Sequence, residues 1–382
     1  MYEVGVTGKM KRIVLFVKKE IVFSIAFLLA IISLIMVKPG LSVVEGIDFR
    51  TLVLLFSLMA VVAGLQRQFV FIRIGNGLMA RIGNTRVLYS ILVLLCFVFS
   101  MFLTNDVALI TFVPFSVMIL PMAGKTEKLP IIVVLQTLAA NLGSVLTPLG
   151  NPQNLYLYNI SGMSVVEFLC WMLPMWIASL VLVMAPILIM KNELIVKPEA
   201  RNMPKPNKKK QTLFLVLFVL SLLCVLKIID YRILFVIVLA AVLIFDAYTL
   251  ANVDYILLLT FVGFFVFIYN MKQVPEIVDM ISGLVKGREF IVGVLASQVI
   301  SNVPAAILLS GFTDNYKLLL LAVDVGGMGT LIASMASLIS YKLYVGAKDS
   351  NAKKYMLLFT TYNIVYLIII GLFCVVWYKI PL

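Results

Sequence analysis

The stretch Asn141–Tyr158, NLGSVLTPLGNPQNLYLY, decides how this chain folds. It sits in an apolar run long enough to cross a membrane, yet Gly143-Ser144 through Thr147-Pro148 and Gly150-Asn151-Pro152 interrupt any helix through it. In hydrocarbon an unsatisfied backbone group costs several kcal/mol, so irregular backbone at that depth persists only where protein, water or a ligand satisfies it. A second stretch, Asp324–Tyr341, DVGGMGTLIASMASLISY, matches the first, with identities at Gly143/Gly326, Thr147/Thr330, Leu155/Leu338 and Tyr158/Tyr341. Its own interruption is Gly326-Gly327-Met328-Gly329-Thr330.

Two further pairs recur in the same order. Asp48-Phe49 and Asp254-Tyr255 each open a hydrophobic span. Thr104-Asn105-Asp106 and Ser301-Asn302-Val303 each break an apolar stretch, over 87–122 and 290–312, with residues that cap helices. Both stretches read as two short arms of a hairpin that enters the membrane and leaves on the same side. Full crossings fall near 21–37, 49–66, 129–159, 165–190, 212–226, 232–249, 254–271, 317–343 and 355–378. Each repeat makes four crossings and one hairpin, and the unmatched span 212–226 sets them in opposite senses. The fold expected is therefore an all-α polytopic membrane protein of two inverted repeats, each with a re-entrant helical hairpin and a broken transmembrane helix. Its divisions are a cytoplasmic N-terminus 1–20, a first repeat 21–190, a cytoplasmic linker 191–211, a connecting helix 212–226 and a second repeat 227–382.

Composition agrees. Of 382 residues 63% are hydrophobic and 13% charged, and the mean hydropathy is +1.11, which no water-soluble globule shows. The absence of histidine removes histidine triads and H-E-x-x-H zinc sites. Cys96, Cys170, Cys224 and Cys374 lack C-x-x-C spacing and read as buried free thiols. The net charge of +13 is an orientation signal: with the N-terminus inside, 22 of 31 basic residues fall on the cytoplasmic side, leaving no compact surface for nucleic acid. Residues 67–86, with Arg67, Arg73, Arg81 and Arg86 among apolar residues, read as a basic amphipathic helix whose arginines anchor to lipid headgroups.

The breaks are where chemistry belongs. At a hairpin tip one arm ends in free carbonyls, which suit a cation, and the next begins with free N–H groups, which suit an anion. The candidate binding residues are Thr104, Asn105, Asp106, Asn141, Gly143, Ser144, Thr147, Pro148 and Asn151 in the first half. Ser301, Asn302, Val303, Asp324, Gly326, Gly327, Gly329 and Thr330 are their counterparts in the second. Asp106 and Asp324 are the carboxylates next to breaks at membrane depth, where an ionised group marks function. Against this stands the plainer reading of capped helices and glycine packing faces, and Gln136 reads as a helix-to-helix hydrogen bond. An intramembrane aspartyl protease would need Tyr-Asp and Gly-x-Gly-Asp, which these aspartates lack. The remaining alternative in another class is a passive channel.

At these residues the chain resembles the ion transporter superfamily of divalent anion/sodium symporters, citrate-type permeases, arsenite permeases and sodium/proton antiporters. The resemblance covers nearly the whole chain from about residue 21. Asn105 and Asn302 match the asparagine of that family's Ser-Asn-Thr tips, Thr104 and Ser301 match its hydroxyl, and Asp106 and Val303 depart from it. The resemblance implies a homodimer whose hairpins and broken helices move like an elevator against a scaffold. The expected function is secondary active transport of a small anion or oxyanion, such as a carboxylate, coupled to Na+ or H+. Na+ is expected at Thr104, Asn105, Asp106, Ser301 and Asn302, with no other cofactor. The alternatives are a sodium/proton antiporter or an arsenite-type efflux permease. No G-x-x-x-x-G-K-[ST] occurs, so no ATP-driven step is expected. The expected partners are the lipid bilayer, the small ionic substrate and a second copy, with the protein multi-pass in the plasma (inner) membrane.

Overall fold

The computed structural model describes residues 20–37, 41–79, 82–195, 206–348 and 350–380. Most of the expected N-terminal segment 1–20, residues 196–205 of the linker, Arg81 and Leu382 lie outside the described residues. Among the described residues the chain is all-helical, with 17 α-helices and four short 3₁₀ turns. Seven helices are long and apolar enough to cross a bilayer, or eight if one pair bent by 110° is one span.

The first half runs α1 (Ile21–Met36), α2 (Phe49–Arg67), α3 (Val70–Met79), α4 (Thr85–Leu103), α5 (Asn105–Met122), α6 (Leu129–Gly143), α7 (Pro152–Ser161) and α8 (Val165–Ile189). After α9 (Lys208–Val225) the order recurs as α10 (Tyr231–Asp246), α11 (Tyr255–Met271), α12 (Pro275–Val285), α13 (Glu289–Ile300), α14 (Asn302–Ser310), α15 (Tyr316–Gly326), α16 (Met335–Val345) and α17 (Ala352–Trp377). The recurrence reaches backbone detail. Asp48 and Asp254 adopt φ/ψ of −76/84° and −80/84°, and their carboxylates cap α2 and α11 by accepting from Thr51 N and Leu257 N. An acid here satisfies an N–H that the helix cannot pair and lies at the positive end of its dipole. Thr104 and Ser301, between the hairpin arms, have φ of 81° and 74°. Such backbone costs on the order of 1–3 kcal/mol outside glycine and persists only where surroundings enforce it.

Helix α8, 25 residues and about 37 Å long, serves as a ruler. At its C-terminal end Thr85 N donates to Glu193 O at 2.8 Å and Lys125 pairs with Glu193, so the strand of chain after α8 ties both open ends of the α4–α5 hairpin. At its N-terminal end Lys317 pairs with Glu167 at 2.6 Å and Trp171 Nε1 donates to Lys317 O. There Thr313 Oγ1 donates to Glu289 at 2.9 Å and closes the mouth of the α13–α14 hairpin, one turn before α15. The two hairpins thus open toward opposite ends of α8. Lys125 and Lys191 hold the Glu193 carboxyl below the usual carboxylate range at the C-terminal end. Helix α17 runs antiparallel to α8, bonded from Tyr378 to Trp171 O and from Tyr366 to Leu182 O.

A separate layer is built from α1, α2, α9, α10 and α11. Ala26 seats against Gly263, and Asn270 Nδ2 donates to Ser33 Oγ at 3.0 Å, which aligns α1 parallel to α11. Gly64 lets the Phe214 ring of α9 lie directly on α2.

Three expectations change, and one helix is added. The arms of the first hairpin are 19 and 18 residues, each long enough to span, and only the second hairpin has short arms of 12 and 9 residues. The capping residues mark the tip correctly, but the apolar run on either side of it continues to full length. Helix α12 occupies a stretch between the expected crossing 254–271 and the hairpin 290–312 to which no element is assigned from sequence, and its polar residues Glu276, Asp279 and Ser282 recur at helical spacing. Arg67 is no headgroup anchor: it and Lys210 pair with the buried Asp246 at 3.4 and 3.3 Å, pinning the ends of α2, α9 and α10 together. Cys170 is exposed on α8 while Cys96, Cys224 and Cys374 are buried.

Candidate functional site

Helix α6 is buried almost throughout, and it ends where Gly143 meets the backbone of Phe97 in α4. A Cβ at Gly143 would overlap the Phe97 carbonyl, and one at Gly150 would overlap that of Ser144. Both glycines are therefore demanded by close backbone approach, which folds 144–151 into a tight irregular segment. Pro152 then starts α7 at a position where its missing N–H is harmless.

That segment receives the hairpin tip. Asn105 N donates to Gly150 O at 3.1 Å, and in the second half Asn302 N donates to Ala333 O at 2.9 Å. Gly150 and Ala333 are the very residues that the alignment of 141–158 with 324–341 sets opposite each other. Each asparagine also folds its side chain back, Oδ1 accepting from Asp106 N or Val303 N, both at 2.9 Å. The strained Thr104 and Ser301 are held by this pair of bonds.

Asn141 joins the halves. Its Oδ1 accepts from Asn105 Nδ2 at 2.9 Å and from Ser334 Oγ at 3.1 Å, and its Nδ2 reaches Gly327 O at 3.4 Å. A Cβ on Gly327 would stand 2.9 Å from Asn302 Nδ2, so the second tip lies against the same backbone. Asn105 and Asn302 thus flank one buried polar centre, made from a tip and a break of each half, without bonding each other.

Asp324, in the last turn of α15, is 3% exposed. Gln153 Nε2 donates to it at 3.0 Å, and Asn154, with its amide nitrogen turned toward the carboxylate, donates to both oxygens at 2.9 and 3.0 Å. Amides of the first half therefore hold the carboxylate of the second, and among the described residues no lysine or arginine pairs with it. Asp106 differs. Its Oδ1 is buried with no partner, as is Oδ1 of Asn151, next to the Asn105–Gly150 bond. Two acceptor oxygens are thus without donors, one on the first tip and one on the residue after Gly150.

Other expected residues serve the backbone. Ser144 Oγ donates to Asn141 O and Thr147 Oγ1 to Met101 O, and Pro148 lies in the irregular segment. Gly326 packs on Ser297, and Gly329, at φ 104°, lies against Gln298. Thr330 is exposed and tied to Gln298, whose amide also donates to the carbonyls of Gly326 and Met328. Gln136 bonds Leu92 O and Phe112 O, a helix-to-helix role. Sequence reading missed Gln153, Asn154, Gln298 and Ser334. The run Asn-Pro-Gln-Asn at 151–154 carried a signal, since three amides within one turn of a buried helix need partners.

A model of the citrate transporter family matches residues 13–317. An uncharacterized transporter of Methanocaldococcus jannaschii is 30% identical over 324 residues, covering 85% of this chain and 88% of that protein. The inner membrane protein YbiR of Escherichia coli is 30% identical over 304 residues, covering 78% and 80%.

Proposed function

The chain belongs to the citrate transporter family, is a multi-span membrane permease rather than an enzyme, and from that premise we propose that it carries a small anion or oxyanion, such as a carboxylate, by secondary active transport coupled to Na+ or H+. The observation that carries this reading is the centre at Asn141, where the tips and breaks of both halves meet. Asn105 and Asn302 each offer a carbonyl and an amide, so one centre can serve a cation and an anion together. The unpartnered oxygens of Asp106 and Asn151 support a Na+ site beside Thr104 and Asn105. Coordination there would replace donors that the fold does not supply. No equivalent acid stands at the second tip, where Val303 takes the place of Asp106. Exchange of Na+ for a proton is the second reading, favoured by Asp324 held by amides alone.

The opposite openings of the hairpins along α8 support inverted repeats, and the layer α1, α2, α9–α11 supports a scaffold against which α4–α8 and α13–α17 shift like an elevator. In this reading the protein works as a homodimer in the plasma (inner) membrane, with Lys209 cytoplasmic and the end of α17 outside. Single-cysteine labelling at positions 209 and 378 is expected to modify them from opposite sides of the membrane. Labelling of both from one side contradicts the inversion. For the function itself, thermal unfolding of the purified protein is expected to shift upward with one class of anion in the presence of Na+ or at one pH, because a ligand bound only to the folded state stabilises it by RT ln(1 + [L]/Kd). A panel of mono-, di- and tricarboxylates and inorganic oxyanions that shifts nothing under any cation or pH contradicts it.

A further inference from the structure

Apart from the polar centre, the molecule has a cleft of about 630 Å³ between the start of α6, the last turns of α8 and the middle of α17. Its walls are apolar, among them Ile131, Leu182, Pro186 and Val365, with Tyr362 and Tyr366 along one side. Ile189 and Val365, 85% and 44% exposed, show that it opens toward the bilayer. A dry cavity of about 150 Å³ accommodates benzene, so this one has room for roughly four times as much hydrocarbon.

The cleft has one charged residue in its wall, Lys128, and that lysine makes no ion pair among the described residues. Beside it Arg86 donates from Nη2 to the carbonyl of Met190, a cleft residue, at 3.4 Å, while Arg86 Nε is buried with no partner. Lys125 and Lys191 stand at the same mouth, both paired with Glu193, and Glu127 precedes Lys128. Four bases against two acids leave the mouth positive, at the end of α8 where the basic residues concentrate.

We propose that this cleft is a binding site for an anionic phospholipid, its acyl chain lying along α8 and α17 and its phosphate meeting Lys128 at the positive mouth. The phosphate supplies the counter-charge that Lys128 lacks, and basic pockets between membrane helices on the cytoplasmic side suit such headgroups. Because α6 begins here and carries Asn141 in its last turn, a lipid in the cleft grips the far end of the helix that joins both halves.

The test compares phosphatidylglycerol with phosphatidylcholine added to the purified full chain in a zwitterionic detergent. Phosphatidylglycerol is expected to raise the unfolding temperature more, and Lys128→Gln to erase the difference without lowering the starting value. Ala185→Phe, which fills the cleft, is expected to lose the lipid that native mass spectrometry detects on the wild-type protein. Equal responses to the two lipids, an undiminished difference in Lys128→Gln, or the same rise with inorganic phosphate alone would overturn the proposal. So would an Ala185→Phe protein that keeps its lipid but changes from dimer to monomer, which would assign the cleft to a second copy. If Ala185→Phe does not fold, the Lys128→Gln comparison decides.

Discussion

Asp324→Asn is expected to leave the protein folded and its transport no longer dependent on the cation or pH gradient. The substitution keeps shape and volume, and Gln153 can still donate to the remaining oxygen. What is removed is a charge at membrane depth, which costs ~3 kcal/mol when ionised and unpaired. Such a cost is maintained only for a use, and the structure surrounds Asp324 with amide donors rather than with a permanent positive charge. A neighbouring lysine or arginine would fix the carboxylate as an anion in every state. Amides support it as an anion and still let it take a proton or face a cation, so its state can change within a cycle. Proteoliposome flux measured with and without Na+ and pH gradients reads the outcome. Flux in the Asn variant that retains both dependences would return Asp324 to a structural acceptor for Gln153 and Asn154.

How much of this was legible in the sequence follows from what each element requires locally. The tips were legible because Thr-Asn-Asp and Ser-Asn are polar capping residues inside apolar runs, and hydrocarbon tolerates such an interruption only at special places. The breaks were legible because glycine and proline act through backbone alone. The alignment of the two even set Gly150 opposite Ala333, the carbonyls that each tip later proves to use. Arm length was not legible, since a capping triplet marks where a helix turns and says nothing of how far the apolar run beyond it stays helical. Nor were the partners of Asp324. Gln153 and Asn154 lie 171 and 170 positions away, and which side chain faces which across two halves is decided by packing that no local pattern encodes. The same holds for Arg67, whose amphipathic surroundings suggested a headgroup while Asp246, far along the chain, claims it.

Alanine at Asn105 is expected to abolish measurable transport while expression stays close to that of the wild type, and alanine at Asn302 to do the same. Asn105 is 5% exposed, and its amide makes one bond to Asn141 while its carbonyl is used by Asp106 N. Losing the side chain deprives the Asn141 oxygen of one of two donors, and Ser334 remains. The loss is thus on the order of 1 kcal/mol in stability, too little to unfold a protein of this size. Binding suffers more. A hydrogen bond to a charged ligand contributes about 1.5–3 kcal/mol, a factor of roughly 10 to 150 in affinity, and each asparagine is placed to contact both ions. The side chain also holds Thr104 or Ser301 at its positive φ, so its removal lets the tip relax and leaves the Asp106 or Val303 N–H without its acceptor. Serine at either position, which restores a short acceptor for the following N–H, is expected to recover the tip, and at position 105 not the bond to Asn141. Uptake of the ligand found by stability screening, followed in vesicles for the four variants, separates the two effects: partial rescue in the serines assigns part of the role to tip geometry, and full activity in both alanines would reduce the asparagines to helix caps.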